Sequence, residues 1–160
     1  MGFDKCNTLV VGLLREALVA QGRAALGRLP ATERRGSDLL FSMCDLLQQM
    51  GQLKEARPLL EEALQGSRDT RGDHHPDTLG LIHSLADLLE KQGMLVEATP
   101  LYTERLEGYV LLYGMEDWYT RRAARSLVSN LREVGQRKKA MALAFKHGWL
   151  PRKLGGCNIC

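Results

Sequence analysis

Gly72-Asp73-His74-His75-Pro76-Asp77-Thr78-Leu79 opens a run that continues to Lys91-Gln92-Gly93 and then through Met94-Leu95-Val96-Glu97-Ala98-Thr99-Pro100-Leu101-Tyr102 to Leu106. Leu79, Ile82, Leu85, Ala86 and Leu89 fall at helical spacing and mark one apolar face. Asp77 or Thr78, just after Pro76, is placed to cap the start of that helix. Gly93 supplies a turn, because a left-handed backbone costs glycine little. Leu95, Ala98, Leu101, Tyr102 and Leu106 then form the apolar stripe of a second helix. Ala98 is small where two helices should approach closely. Pro100 sits near the start of its helix, where it disrupts least.

This pattern recurs. Gly51, Gly93 and Gly135 are 42 residues apart, and Ala56, Ala98 and Ala140 keep the interval. So do Leu47, Leu89 and Leu131, Ser42, Ser84 and Ser126, and Leu59, Leu101 and Leu143. Repetition at a fixed period is the signature of stacked supersecondary units, each of which buries its apolar face only against its neighbours. Gly12-Leu13-Leu14-Arg15-Glu16-Ala17 resembles Gly51-Gln52-Leu53-Lys54-Glu55-Ala56, so residues 12–27 read as an unpaired second helix. Residues 1–11 form an N-terminal segment, and a Pro/Arg-rich loop covers about 28–36. Helix pairs are expected over 37–66, 78–112 and 120–147, with a flexible tail from 148 to 160. The predicted fold is all-α, an α-solenoid of antiparallel helix pairs with about seven helices. Starting on half a repeat leaves two readings open: a capping helix, or a part of a longer array.

Composition agrees. The chain has 160 residues, enough for one domain with a sizeable core. Aromatics are scarce at 6%, so the core should be mostly Leu and Ala, which favours helices. No apolar run approaches the roughly 20 residues of a spanning helix, and no secretory signal pattern begins the chain. Cys6, Cys44, Cys157 and Cys160 are too unevenly placed for a disulfide framework, so a cytoplasmic setting is expected. From Arg121 to Lys153 there are ten Lys or Arg and one acid, a net of +9, which leaves −6 for the rest of a chain totalling +3. That end favours an acidic partner, an anionic membrane surface or nucleic acid, unless it is simply a solvated helical face.

The residues His75-Pro76-Asp77, Leu85-Ala86, Lys91-Gln92-Gly93 and Glu97-Ala98-Thr99-Pro100-Leu101-Tyr102 together resemble a tetratricopeptide repeat, and more closely the 42-residue variety of kinesin light chain. HEAT and armadillo arrays have a similar period, but a Gly followed by Ala five residues on suits them less well. The resemblance covers about residues 12–147. The third unit departs from it, with Trp118 for Pro and Lys139-Ala140 for Glu-Ala, and Arg105 stands where the family prefers Ala. The resemblance implies a right-handed superhelix with a concave groove, lined by the first helix of each pair, that holds a peptide or partner helix. By position the groove would present Asp38, Phe41, Asp45, Gln48 and Gln49, then Gly80, His83, Asp87, Glu90 and Lys91, then Arg122, Arg125, Ser129, Arg132 and Glu133. The family often has Asn at the positions of His83 and Ser84, where it clamps a peptide backbone; this chain has neither. Guanidinium groups at 122, 125 and 132 would grip the carboxylates of an acidic segment.

Other chemistry is weaker. His74-His75 with Asp73 and Asp77 matches no zinc spacing, so no metal is expected and the motif reads as loop and cap. No nucleophile stands at a persuasive spacing from His83, and no phosphate loop or hydrolase motif appears, so an enzyme, a cofactor and a small-molecule substrate are not expected. Cys44 stands at the position of Ala86 and Val128 and reads as a small core residue. Cys157-Asn158-Ile159-Cys160 has the form of a prenylation box, and Arg152 and Lys153 lie just upstream. Met1-Gly2 with Cys6 gives only a faint myristoylation pattern. The basic end lacks an interleaved aromatic platform, so no nucleic acid is expected. The sequence thus points to a non-enzymatic scaffold or adaptor that binds a protein or peptide; the alternative is a prenylated, peripheral membrane adaptor anchored at Cys157. No heptad segment for a kinesin heavy chain is visible, so membership of that motor is not implied.

Overall fold

The computed structural model describes residues 3–30 and 38–148, with side chains from residue 11 in the first stretch and from residue 39 in the second. The described residues form seven helices and no strand: α1 (Phe3–Arg28), α2 (Asp38–Gln49), α3 (Leu53–Arg71), α4 (Pro76–Lys91), α5 (Leu95–Tyr113), α6 (Trp118–Glu133) and α7 (Arg137–Lys146). This is the expected all-α solenoid of helix pairs. The chain divides into two compact units, Met1–Gly72 and Asp73–Cys160.

The 42-residue period is visible in the turns. Gly51, Gly93 and Gly135 have φ of 73°, 79° and 85°, which only glycine adopts cheaply. Each is followed by a backbone N–H that returns to a carbonyl of the helix just ended: Gln52 to Leu47 at 2.9 Å, Met94 to Leu89 at 2.9 Å and Gln136 to Leu131 at 2.8 Å. These bonds satisfy carbonyls left over at a helix end and start the next helix in the antiparallel sense.

In the second unit α4 buries Leu79, Ile82, Leu85, Ala86 and Leu89, the face read from sequence. Ala98, Tyr102 and Leu106 of α5 are buried as expected, whereas Leu95 and Leu101 are half-buried. Gly108 lets α5 approach α4: a Cβ built there would lie 2.6 Å from Leu79 Cδ2. Ala123, Ala124, Leu127, Val128 and Leu131 form the buried face of α6, and α7 adds Ala140 and Ala144. Asn130 is also buried. It donates to the Leu95 carbonyl at 3.0 Å and accepts from the Thr99 hydroxyl at 2.7 Å, tying α6 to the first turns of α5.

Two helices begin earlier than their sequence cues. α4 starts at Pro76, with His75 as its cap: His75 Nδ1 accepts from the Asp77 N–H at 3.2 Å. Neither Asp77 nor Thr78 caps it. Proline is well suited to the first helical position, where its missing N–H is no loss. One repeat later Asp117 caps α6, its carboxylate accepting from the Tyr119 N–H at 2.7 Å.

In the first unit α1 begins at Phe3 and runs unbroken through Gly12, which is therefore no turn. The strong helix formers that follow it, Leu13 to Ala17, outweigh the roughly 1 kcal/mol that an interior glycine costs. The buried face of α1 is also rotated. Ala17 and Ala24, matched in sequence to the fully buried Ala56 and Ala63, are exposed, and Val19, Gly22 and Leu26 are buried instead. Gly22 leaves room for Met43 of α2, which a Cβ at that position would meet. Arg23 of α1 pairs with Glu55 of α3. Cys44 is buried with 1% of its surface exposed, as its alignment with Ala86 and Val128 suggested.

Candidate functional site

The candidate contact residues divide between the two units. In the first, Asp45 and Gln49 of α2 line an open cleft of about 630 Å³, with Leu18, Gln21 and Ala25 of α1 on the other side. Phe41 and Gln48 are half-buried and do not line it. Asp38 begins α2, but its side chain lies outside the described residues, as do the Cys157 box and Lys153.

The second unit carries the denser constellation, built from α4, α5 and α6. His83 is half-buried, its ring 6.2 Å from that of Tyr102 and tilted by 52°. Burial pushes its pKa down to about 4; Arg105, Arg122 and Lys91 act in the same direction, and the Asp87 carboxylate opposes them. His83 is therefore an uncharged imidazole at neutral pH, with neither the basicity nor the exposure of a general base. Tyr102 donates its hydroxyl hydrogen to Glu90 Oε2 at 2.6 Å, and burial with that bond raises the phenol well above its ordinary range. Asp87 Oδ2 pairs with Lys91 Nζ at 2.7 Å, one helical turn away. Of the positions on α4 expected to meet a ligand, two carboxylates are thus already engaged by groups of the protein itself. Gly80 faces open space.

On α6 Arg122, Arg125, Ser129, Arg132 and Glu133 are all exposed. The first four recur at helical spacing and form one stripe. The Arg122 guanidinium lies 5.4 Å from the ring centroid of Trp118, which is 61% exposed. Trp118 meets Tyr119 edge-on at 5.0 Å, and Tyr119 continues into Tyr109 and Tyr113, each at 5.7 Å. Arg105 of α5 lies over Tyr109 at 5.4 Å. The basic stripe is therefore flanked by an aromatic cluster that the sequence reading did not assemble. Its members come from the end of one helix and the start of the next, brought together by the short turn at Gly114.

Helix pairs of 42-residue period are joined by glycine turns whose geometry repeats from one pair to the next. Residues 38–109 match the family model described as tetratricopeptide repeat. That stretch is similar to tetratricopeptide repeats. The fold likeness extends further. A putative kinesin light chain of Podosopora anserina with nearly identical TPR-like repeats aligns at a TM-score of 0.72 with 22% identity, over 86% of this chain and 65% of that one. BtubC (BKLC) of P. vanneervenii aligns at 0.58 with 20% identity, over 84% of this chain and 53% of that one. This chain thus spans about two thirds of the first of these solved structures and about half of the second. A search of curated proteins returned no match. The expected likeness to the kinesin light chain repeats holds at the level of fold. Among the described residues no helix is long and apolar enough to cross a membrane.

Proposed function

We propose that the repeats form a non-catalytic binding module that holds an acidic peptide segment or partner helix along the exposed face of α6. The observation that carries this reading is the stripe of Arg122, Arg125, Ser129 and Arg132, all exposed on one helix, beside α4 carboxylates that are already engaged. A planar guanidinium accepts a carboxylate on two parallel N–H groups, so a row of them on a rigid helix reads both charge and spacing. Repeat units of this kind offer extended surfaces rather than enclosed pockets, which suits a peptide better than a small molecule. The family resemblance supports protein partners in general; the acidic character comes from this chain's own arginines.

The test is affinity capture from the native cell, with the wild type beside the double variant Arg122→Glu/Arg125→Glu. Loss of a reproducible set of proteins in the variant, with the helical signal intact, is expected. Unchanged capture would sink the α6 site.

A further inference from the structure

Tyr113, Trp118 and Tyr119, all within the second unit, bring three aromatic rings to the surface. A continuous run of rings joins them to the interior. Tyr109, itself buried, stacks on Tyr113 at 6.0 Å and on Tyr119 at 5.7 Å, with interplanar angles of 23° and 26°. Trp118 stands across Tyr119 at 83°, so these two exposed rings form a corner rather than a flat surface. A guanidinium closes the run at each end. Arg122 lies over Trp118, and the buried Arg105, whose position holds Ala63 and His147 one repeat to either side, lies over Tyr109. A contiguous group of this kind, unlike apolar residues scattered singly, marks a contact surface.

Its polar chemistry narrows what it can take. Among the described residues no hydrogen bond engages the Trp118 indole N–H or the Tyr113 and Tyr119 hydroxyls. The two acids just before Trp118 are occupied, Glu116 by Arg121 and Asp117 by the N–H of Tyr119. The cluster therefore offers chiefly donors. Rings at both ends of the run already carry guanidinium groups, so a cationic side chain would meet charges of its own sign there. A docked helix would cover the indole and phenol tips with a backbone whose carbonyls are already used, and burying those tips unpaired is costly. A polyproline II segment fits better. Its carbonyls make no internal hydrogen bonds, its prolines bring no N–H of their own, and such segments dock on surfaces lined by aromatic rings.

We infer that Tyr113, Trp118 and Tyr119 form a dock for a proline-rich segment in the polyproline II conformation, continuous in the ligand with the acidic segment held along α6. Arg122 belongs both to the dock and to the arginine stripe, so the two surfaces adjoin. The inference rests on the α6 reading above and names what stands beside the acids in the partner: prolines at the Trp118 end of the helix, carboxylates towards Arg132. A preformed polyproline helix loses little conformational freedom on docking, so a few prolines add affinity.

The probes are fluorescein-labelled peptides that join an oligoglutamate run to an oligoproline run, in either order. Each has a control in which alternating Gly and Ser replace the prolines. On the wild type the better-bound proline peptide should exceed its control by about tenfold, the equivalent of one or two aromatic contacts. That ratio should fall towards one in Trp118→Ala and in Tyr113→Ala, with the helical signal intact. Equal binding of proline peptide and control on the wild type, or an undiminished ratio in both variants, would overturn the inference. If Arg122→Glu/Arg125→Glu nevertheless weakens every glutamate peptide, the α6 reading stands without the dock. If an oligoglutamine–oligoproline peptide binds as tightly as its glutamate counterpart and still needs Trp118, the dock stands and the α6 reading falls. Oligothymidylate DNA that binds more tightly than the peptides, and loses that advantage in Trp118→Ala, would replace the proline segment with single-stranded nucleic acid stacked on the rings.

Discussion

Gly108 of α5 packs directly against Leu79 of α4: a methyl group at 108 would lie 2.6 Å from Leu79 Cδ2 and 3.0 Å from Cδ1. Leu79 is fully buried, so it has little room to move aside. Gly108→Ala should therefore destabilise by about 1–3 kcal/mol, the usual cost of overpacking, although alanine is the better helix former. Gly80→Ala is the matching control. Gly80 lies in the interior of α4 with nothing near its missing Cβ, so that change should stabilise by about 1 kcal/mol. Chemical denaturation of both variants checks the pair; a stabilised Gly108→Ala would contradict the packing described.

Acid should weaken the fold through His83. Its pKa is about 4 in the folded chain against 6.5 when free, with burial as the chief cause. Between these values the unfolded chain binds more protons, so stability rises with pH across the window and falls as pH drops from 6.5 towards 4. His83→Asn removes that proton. The stability difference between variant and wild type should shift in favour of the variant over this range, as measured by denaturant melts at stepped pH. Parallel profiles would refute the assignment.

The bond from Tyr102 to Glu90 joins the second helix of a pair to the last turn of the first. Tyr102→Phe should cost about 1–2 kcal/mol, because the bond has a charged acceptor and the tyrosine is 2% exposed. In a cycle with Glu90→Gln, the two losses should add to more than the double variant shows. Additive losses would mean that the two groups act independently.

Cys44 should be inert in the native protein. Burial, together with the nearby Asp45 charge, pushes its thiol up to about 12. With Cys6, Cys157 and Cys160 changed to Ser, a thiol reagent at neutral pH should react on the order of a thousandfold more slowly than after denaturation, since the thiolate is the reactive form. Rapid native labelling would place Cys44 at the surface.

The period, the helix pairs and the buried face of α4 were legible because glycine turns and apolar spacing are local signals. The starts of α4 and α6 were less so. Histidine is an unusual cap, and His75 acts through a ring nitrogen rather than a carboxylate or hydroxyl. For α1 the likeness of Gly12–Ala17 to Gly51–Ala56 pointed to the wrong face. Alanines at 17, 20 and 24 and the larger residues at 19 and 26 both fit helical spacing, and only packing against Met43 chooses between them. At the candidate site the arginine stripe was readable from spacing along one helix. The links of Glu90 to Tyr102 and of Arg105 to Tyr109 were not, because the angle at which neighbouring side chains meet is a tertiary property. The misfit of Arg105 between Ala63 and His147 was the one hint available.

Asn130 gives the α5–α6 junction a mechanical character. The same position in the two earlier repeats holds Leu46 and Leu88. Leucine adheres through dispersion, which has no preferred direction and tolerates slippage of a helix along its neighbour. Asn130 engages both the Leu95 carbonyl and the Thr99 hydroxyl, and a shift of one residue would forfeit both. Under a pull along the helix axes this junction should hold rigidly and then yield all at once, like a ratchet with a single tooth.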